Sequence, residues 1–393
     1  MTNPIQPRCG VVFRGAGCPA QPSSASSAPL PLPPPHHVST SAAAAGIGSA
    51  SASGAAEGES LLLAGDIGGT KTVLALVAEH EAGARVVAEA TFPSREYGSL
   101  EAVIAAFRAT HAGAVDRAAF SVAGPVIGGE AHITNLPWCL RERHLADGLG
   151  VERALLVNDL QATAYALPHL GPEQMTQILP GDAVGRGVRA VVAVGTGLGE
   201  AMLVPGHDGY VAFPTEGGHT DFAPRGALQR RLLAELQRVH DHVSYERVCS
   251  GNGIANLYRF LASRAPEPPP AWLAARLAAG GDVTPALVDA GMRREAACPV
   301  CRRTLRLLAA ILGAEAGNAA LRTLATGGVY LGGGIPPRIL PILRGRAFRE
   351  GFLQKGPMSR LMASIPVYVI LEPRAALLGA ARYGMEMQGS TRC

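Results

Sequence analysis

The stretch Leu61-Leu-Leu-Ala-Gly65-Asp66-Ile67-Gly68-Gly69-Thr70-Lys71-Thr72-Val-Leu-Ala-Leu-Val77 sets the reading of the whole chain. Two short apolar runs, Leu61 to Gly65 and Thr72 to Val77, flank a glycine-rich turn and read as strands. Glycines at such a turn let the backbone approach a phosphate closely and aim N–H donors at it. Thr70 adds a hydroxyl donor. Asp66 offers an oxygen to Mg²⁺ through water, because this hard cation keeps much of its hydration shell. On these residues alone, a plain hairpin turn is the alternative.

Working outward, the pattern returns. Ala118 to Ala123 and Ala154 to Asn158 read as further strands. Val188 to Val194 and Glu200 to Val204 are strands around a second turn, Gly195-Thr196-Gly197-Leu198-Gly199. The two turns lie about 130 residues apart, which points to a duplicated phosphate clamp, one turn per lobe. A third cluster, Gly327-Gly328-Val-Tyr-Leu-Gly332-Gly333-Gly334, holds a strand-like centre and follows a long helical stretch from Arg302 to Leu324. Ala227 to His240 also has helical spacing. None of the turns fits G-x-G-x-x-G after a first strand or G-x-x-x-x-G-K-[ST], so Rossmann and P-loop assignments fail. Strands followed by helices, twice over, suggest two α/β lobes facing one cleft.

Polar residues stand at the ends of these elements. Asn158-Asp159 closes an apolar strand and opens the helix-like stretch Leu160 to Leu167. A carboxylate there can accept a hydroxyl proton; equally, Asn and Asp are favoured helix caps. Glu216-Gly217-Gly218-His219 forms a turn whose carboxylate and imidazole suit vicinal hydroxyls, although a solvated turn has the same composition. Glu246 offers another acceptor, or a helix-surface charge. Asn135 sits in Ile133-Thr-Asn-Leu-Pro-Trp138 beside a proline turn.

Composition narrows the function classes. Charged residues make up only 17% and the net charge is +4, with no basic stripe interleaved with aromatics, so nucleic-acid binding has no electrostatic footprint. The longest apolar run, Leu307 to Ala314, stops at Glu315 and is too short for a membrane span. The seven cysteines are odd in number and scattered, which argues for reduced thiols in a cytosol and against a disulfide framework. Cys298 and Cys301 form a lone C-x-x-C without the further ligands zinc requires. Residues 1–60 are rich in Pro, Ser, Ala and Gly, with no acidic residue before Glu57. They are predicted to be a disordered tail, and they lack the apolar core of a secretory signal.

Taken in order, Gly65-Asp-Ile-Gly-Gly-Thr, Thr134-Asn-Leu-Pro-Trp, Asn158-Asp159, Gly195-Thr-Gly-Leu-Gly, Glu216-Gly-Gly-His, Glu246-Arg-Val-Cys-Ser-Gly and Gly327-Gly-Val-Tyr-Leu-Gly-Gly-Gly-Ile resemble the bacterial glucokinase family of the actin-like ATPase superfamily. The resemblance spans Leu61 to Tyr383. It implies a two-lobed α/β fold of ribonuclease H-like type with a central cleft. A small lobe would cover 61–169, completed by 372–393 with a C-terminal helix near Pro373 to Met387, and a large lobe 170–371. It further implies ATP-dependent phosphorylation of glucose at the 6-hydroxyl, with Mg²⁺, in the cytoplasm. Asp159 would be the general base. Asn158, Glu216, His219 and Glu246 would bind the sugar. Gly65, Asp66, Ile67, Gly68, Gly69, Thr70, Gly195, Thr196 and Gly197 would hold the phosphates, and the Gly327 to Gly334 region would border the adenosine. Related repressors and kinases carry a cysteine-rich zinc cluster after the E-x-G-H loop; Thr220-Asp-Phe-Ala-Pro-Arg225 has no cysteine, so a structural zinc is not expected and no metal-ligand set is assigned. No nucleic-acid or membrane partner is implied, and a homodimer is suggested. A kinase of another hexose and a non-catalytic sugar sensor of the same fold are the competing readings.

Overall fold

The computed structural model describes residues 61–80, 83–133, 135–207, 209–266, 268–293 and 298–387. The predicted tail at 1–60 lies outside the described residues, as does Thr134 of the proline-turn motif. In chain order the first half contains β1 (Leu61–Ile67), β2 (Lys71–His80), β3 (Gly83–Pro93), α1 (Leu100–Thr110), β4 (Val115–Val122), the short β5 (Val126–Ile127), β6 (Glu130–His132) and β7 (Cys139–Arg141), α2 (Glu142–Leu149), β8 (Arg153–Asn158) and α3 (Asp159–Ala166). The second half continues with β9 (Met175–Leu179), β10 (Arg189–Val194), β11 (Leu198–Pro205), β12 (Tyr210–Thr215), α4 (Gly226–Leu236), α5 (Gly251–Ala262), α6 (Ala271–Ala278), α7 (Thr284–Met292) and α8 (Pro299–Thr323). It closes with β13 (Val329–Gly332), α9 (Leu340–Leu343), α10 (Arg346–Leu353), α11 (Ser359–Ser364), β14 (Val367–Ile370) and α12 (Ala375–Glu386).

Two sheets share one plan. The first has the order β3-β2-β1-β4-β8, the second β12-β11-β10-β13-β14-β9. Each begins with an antiparallel meander and adds two parallel strands on the other side of its first strand. A central strand covered on both faces needs an unbroken apolar run, which Leu61-Leu-Leu-Ala supplies: all four are buried. Parallel pairing brings the carboxyl ends of β1, β4 and β8 to one edge, where Asp66 lies beside Ser121 and Val122 beside Asn158. The two-lobed ribonuclease H-like fold is therefore borne out.

Helices cover the sheets. α8 is buried along most of its length and anchors the core of the second lobe through Leu305, Leu308, Leu312 and Ala316. α12 packs on β1 and β4 through Leu377 and Ala381 against Leu62 and Ala119. It approaches α3 so closely that a methyl at Gly379 would overlap the Ala162 carbonyl.

Some sequence expectations need correction. The C-x-x-C pair starts α8: Cys298 Sγ accepts the Cys301 N–H at 3.4 Å, and Pro299 needs no N–H in the first turn. Cys249, Cys298 and Cys301 are free and buried. The helix read over Ala227 to His240 ends at Leu236.

Candidate active site

Three loops and one helix start converge at the carboxyl edge of the first sheet. The first loop is the β1–β2 hairpin. Gly68 N–H donates to the Lys71 carbonyl at 3.0 Å, closing the turn. Ser94 braces it from the 3-10 turn just after β3: its Oγ donates to the Gly68 carbonyl at 2.7 Å and shares a 3.0 Å hydrogen bond with the buried Thr72 hydroxyl. Strand alternation then separates the residues of the motif. Asp66 faces the cleft, where its Oδ1 accepts from Ser121 Oγ at 3.0 Å. Gly65 and Ile67 face the other way. A methyl at Gly65 would come within 2.6 Å of the Phe120 ring, and Ile67 is fully buried in the core. Neither presents a side chain to the cleft, whereas Gly68, Gly69 and Thr70 form the turn between β1 and β2.

The helix start resolves the choice between cap and carboxylate. Asn158 is the cap: its Oδ1 accepts from Leu160 N at 3.0 Å and Gln161 N at 3.2 Å, while Nδ2 donates to the Gly124 carbonyl at 3.0 Å. That leaves Asn158 one free amide hydrogen. Asp159 needs no capping role. Its Oδ1 accepts the Leu160 N–H at 2.9 Å, and its own backbone N–H also bonds the carboxyl. Burial pushes the Asp159 carboxyl up to about 6, helped by the negative charges of Asp66 and Glu216. Asp66 is also raised, again chiefly by burial, with the Ser121 hydrogen bond and Lys71 opposing. Asp159 thus feels a carboxylate from the first sheet and one from the second.

α3 carries Asp159 to the second lobe. Leu160 lies against Gly199, where a methyl would come within 2.6 Å of its side chain, and Gln161 Nε2 donates to the Ala212 carbonyl at 2.9 Å. The Gly195–Gly199 turn therefore stands beside the start of α3. Gly195 N–H donates to the Gly197 carbonyl at 3.0 Å, and the Gly195 carbonyl accepts from Gly251 N, the first residue of α5, at 2.8 Å. Thr196 is exposed. Glu246 reaches the same turn: its Oε2 accepts from Leu198 N at 3.0 Å, and a methyl at Gly197 would fall 2.5 Å from it. Glu246 lies in the turns before α5, not on a helix surface. Its backbone N–H donates to the Gly218 carbonyl at 2.9 Å, tying it to the third loop.

That loop, Gly217–His219, is a single 3-10 turn. Glu216 and His219 stand on it exposed, with 3.9 Å between Oε2 and Nε2. The third glycine cluster divides. Gly333 and Gly334 lie at the carboxyl end of β13 beside Val194, next to the second turn. Gly327 and Gly328 lie at the opposite end against Gly187 and Pro366, so the expectation for the cleft narrows to Gly332–Gly334. Asn135 is exposed with φ of 68°, a turn conformation that Asn tolerates. A surface cavity of about 310 Å³ between α2 and the amino end of β8 holds none of these residues and opens at the far edge of the sheet from Asp159. Among the described residues, no group of three or more His, Cys, Asp or Glu could hold a metal ion. No helix among them is long and apolar enough to cross a membrane.

Residues 63–387 match the glucokinase family as a whole. The chain belongs to the glucokinase family. A relative from Nostoc punctiforme, named glucokinase, is 37% identical over 334 residues, 82% of this chain and 98% of its own length. A glucokinase from Yersinia enterocolitica is 37% identical over 340 residues, 84% of this chain and 98% of that one. Among solved structures, a glucokinase from an Antarctic psychrotroph is 34% identical, with a TM-score of 0.71 over 83% of this chain and 99% of the other. A Balamuthia mandrillaris glucokinase, 22% identical, shares the fold with a TM-score of 0.67 over 84% of this chain and 95% of its own. Membership makes the chain a sugar kinase at family level and makes ATP its implied nucleotide.

Within this glucokinase-family site, sequence reasoning missed the supports. Ser94 and Ser121 lie 26 and 55 residues from the turn residues they hold, Ser94 in the 3-10 turn after β3 and Ser121 in β4, with no motif of their own. Ser121 stood inside a predicted strand, and its polar side chain in an otherwise apolar run, Ala118-Ala-Phe-Ser-Val, was the one signal available.

Proposed function

We propose that this chain transfers the γ-phosphoryl group of ATP to the 6-hydroxyl of glucose. One observation carries the reading. Asp159 is a buried carboxyl at the carboxyl edge of the first sheet, freed from capping by Asn158 and raised to about 6. A general base works best when its pKa lies near the working pH. The 37% identity to relatives named glucokinase over nearly their full length supports glucose as the sugar.

In this reading Asp159 accepts the proton of the 6-hydroxyl as the bond to phosphorus forms. The Leu160 N–H fixes its Oδ1. Phosphoryl transfer depends on positioning and charge stabilisation more than on covalent help. Glu216, His219, the free Oε1 of Glu246 and the remaining Asn158 amide hydrogen bind the other hydroxyls and fix the sugar before reaction, which lowers the entropic cost of activation. Backbone N–H groups of Gly68, Gly69, Thr70 and the Gly195–Gly197 turn hold the phosphates. The start of α5 beside Gly195 adds the positive end of a helix.

The residues present suit Mg²⁺. Asp66 and Asp159 are two buried carboxyls whose charges oppose each other, so a cation beside Asp66 would relieve both. Ser121 commits only Oδ1 of Asp66. A cation that keeps its waters and takes one protein carboxylate plus phosphate oxygens needs no protein cage. Bound with the nucleotide, it supplies neutralisation of the phosphate charge.

A coupled assay of ADP release with glucose, mannose and fructose tests the proposal. Release with glucose foremost supports it. Preference for another hexose reassigns the sugar, and no release with any of them points to a non-catalytic sensor.

A further inference from the structure

Under the Gly217–His219 loop lies a buried charged cluster that the proposed reaction does not use. Glu200 on β11 is 6% exposed and pairs with Arg322 of α8 at 3.1 Å. Arg322 also pairs with Glu315, which is fully buried. Asn318 Nδ2 donates to Glu315 Oε2 at 2.9 Å and to the Tyr245 hydroxyl at 3.0 Å. Lys355 Nζ donates to Asn318 Oδ1 and to the Ala314 carbonyl. Replacing a buried ion pair by well-packed apolar groups is often neutral or stabilising, so stability alone gives no reason for this cluster.

Its location does give one. Gly217 rests directly on Glu200: a methyl on Gly217 would overlap Glu200 Oε2. Thr215 Oγ1 donates to the Glu200 carbonyl at 3.3 Å and accepts the Gly217 N–H at 3.2 Å. Gly218 lies on the Leu198 carbonyl, where again no side chain fits. β11 is thus the floor of the loop that bears Glu216 and His219, and Glu200 is its buried polar part.

We propose that Glu200, clamped by Arg322, is a positioning residue that sets the height of the Glu216–His219 loop and through it the affinity for the sugar. This rests on the assignment of that loop to the hexose.

The floor is built for a neutral Glu200. Its Oε1 is buried with no donor beside it. A hydrogen bond between Glu200 and Glu315 exists only when one of the two carboxyls carries a proton. Burial, then Glu315, push Glu200 up to about 8 against the pull of Arg322. Lys355 is lowered to about 8 by burial and by Arg225 and Arg322, against Glu315. Tyr245 and Cys249, which also face the cluster, are raised and stay neutral. As pH rises through 8, Glu200 gains a negative charge under Gly217, and Lys355, on the far side of Asn318 and Glu315, loses a positive one. The seat is therefore intact below that pH and weakens above it.

The test uses the full chain and the hexose that it turns over best. Glu200→Ala is expected to raise the hexose KM about tenfold, the equivalent of ~1.4 kcal/mol, with kcat and the KM for ATP within about twofold. Glu200→Gln has the shape of the neutral acid but cannot ionise. It is expected to keep the hexose KM of the parent at pH 7 and to abolish the rise in KM that the parent shows above pH 8. An unchanged hexose KM in Glu200→Ala, equal losses in both substrates, or an alkaline rise that survives in Glu200→Gln would each overturn the proposal. If Glu200→Ala does not fold, the pH series on Glu200→Gln decides alone. If the parent protein phosphorylates no hexose, the kinase reading falls separately. Calorimetric titration with glucose then reads the floor, and equal or absent binding in parent and Glu200→Ala overturns it.

Discussion

The two lobes carry the same hairpin at the same place in the same strand order, and they fill it with opposite chemistry. In the first sheet, Asp66 on β1 faces Ser121 on β4. At the matching register of the second sheet, Ala193 on β10 faces Gly332 on β13. One edge is polar and acidic, with Asp159 and Asn158 completing it; the other is small and uncharged. A duplicated fold thus gives two glycine-rich turns beside the start of α3, and only the first sheet places a carboxylate, Asp66, next to its own turn. The second sheet carries no charge at that register. Its own carboxylates, Glu216 and Glu246, stand farther along the chain on loops, where they suit a sugar.

Removing the carboxylate from the acidic side gives the largest expected effect. Asp159→Ala should lower kcat by about 10²-fold or more, within the range for acid–base groups, with much less change in hexose KM; normal turnover would dissolve the distinction between the edges. Transplanting the charge should come next. Ala193→Asp is expected to raise the KM for ATP about tenfold, a ~1.4 kcal/mol cost of like charge, leaving hexose KM unchanged. An unaltered KM for ATP would mean that the second turn does not face the nucleotide. Glu216→Gln, which turns a charged acceptor into a mixed amide, should raise the hexose KM about fivefold, measured in the same coupled assay. Ser121→Ala frees Asp66 from one hydrogen bond and should lower kcat only about two- to threefold; no change would show that Asp66 needs no fixing.

How far the sequence reached depends on where the physics is local. β1, β2, β10 and β11 were legible because apolar runs abut glycine turns, and α8 because its apolar face repeats at helical spacing. β3, Gly83–Pro93, mixes Arg and Glu into an edge strand and gives no such run. β9 and β14 are short. α12 was legible only through family resemblance, because its place on β1 is a contact across the length of the chain. In the site, the sequence could not divide Asn158 from Asp159, since both are good caps and only the hydrogen bonds of Asn158 show which one is spent. Gly65 and Ile67 were read with the turn because strand alternation begins there, and the pleat turns them into the core. Glu200 and Arg322 lie 122 residues apart, and nothing in either neighbourhood announces a partner.

The claim that Asp159 is a proton acceptor tuned by its surroundings has one direct test, the pH dependence of kcat/KM for the hexose, which reports groups of the free enzyme. The base must be ionised to act, so activity should fall as pH drops through the raised value of its carboxyl. The account predicts an acid limb centred near pH 6 that is absent from the residual activity of Asp159→Asn. A limb at an ordinary aspartate position near ~3.9, or one near 6 that persists in Asp159→Asn, would contradict it.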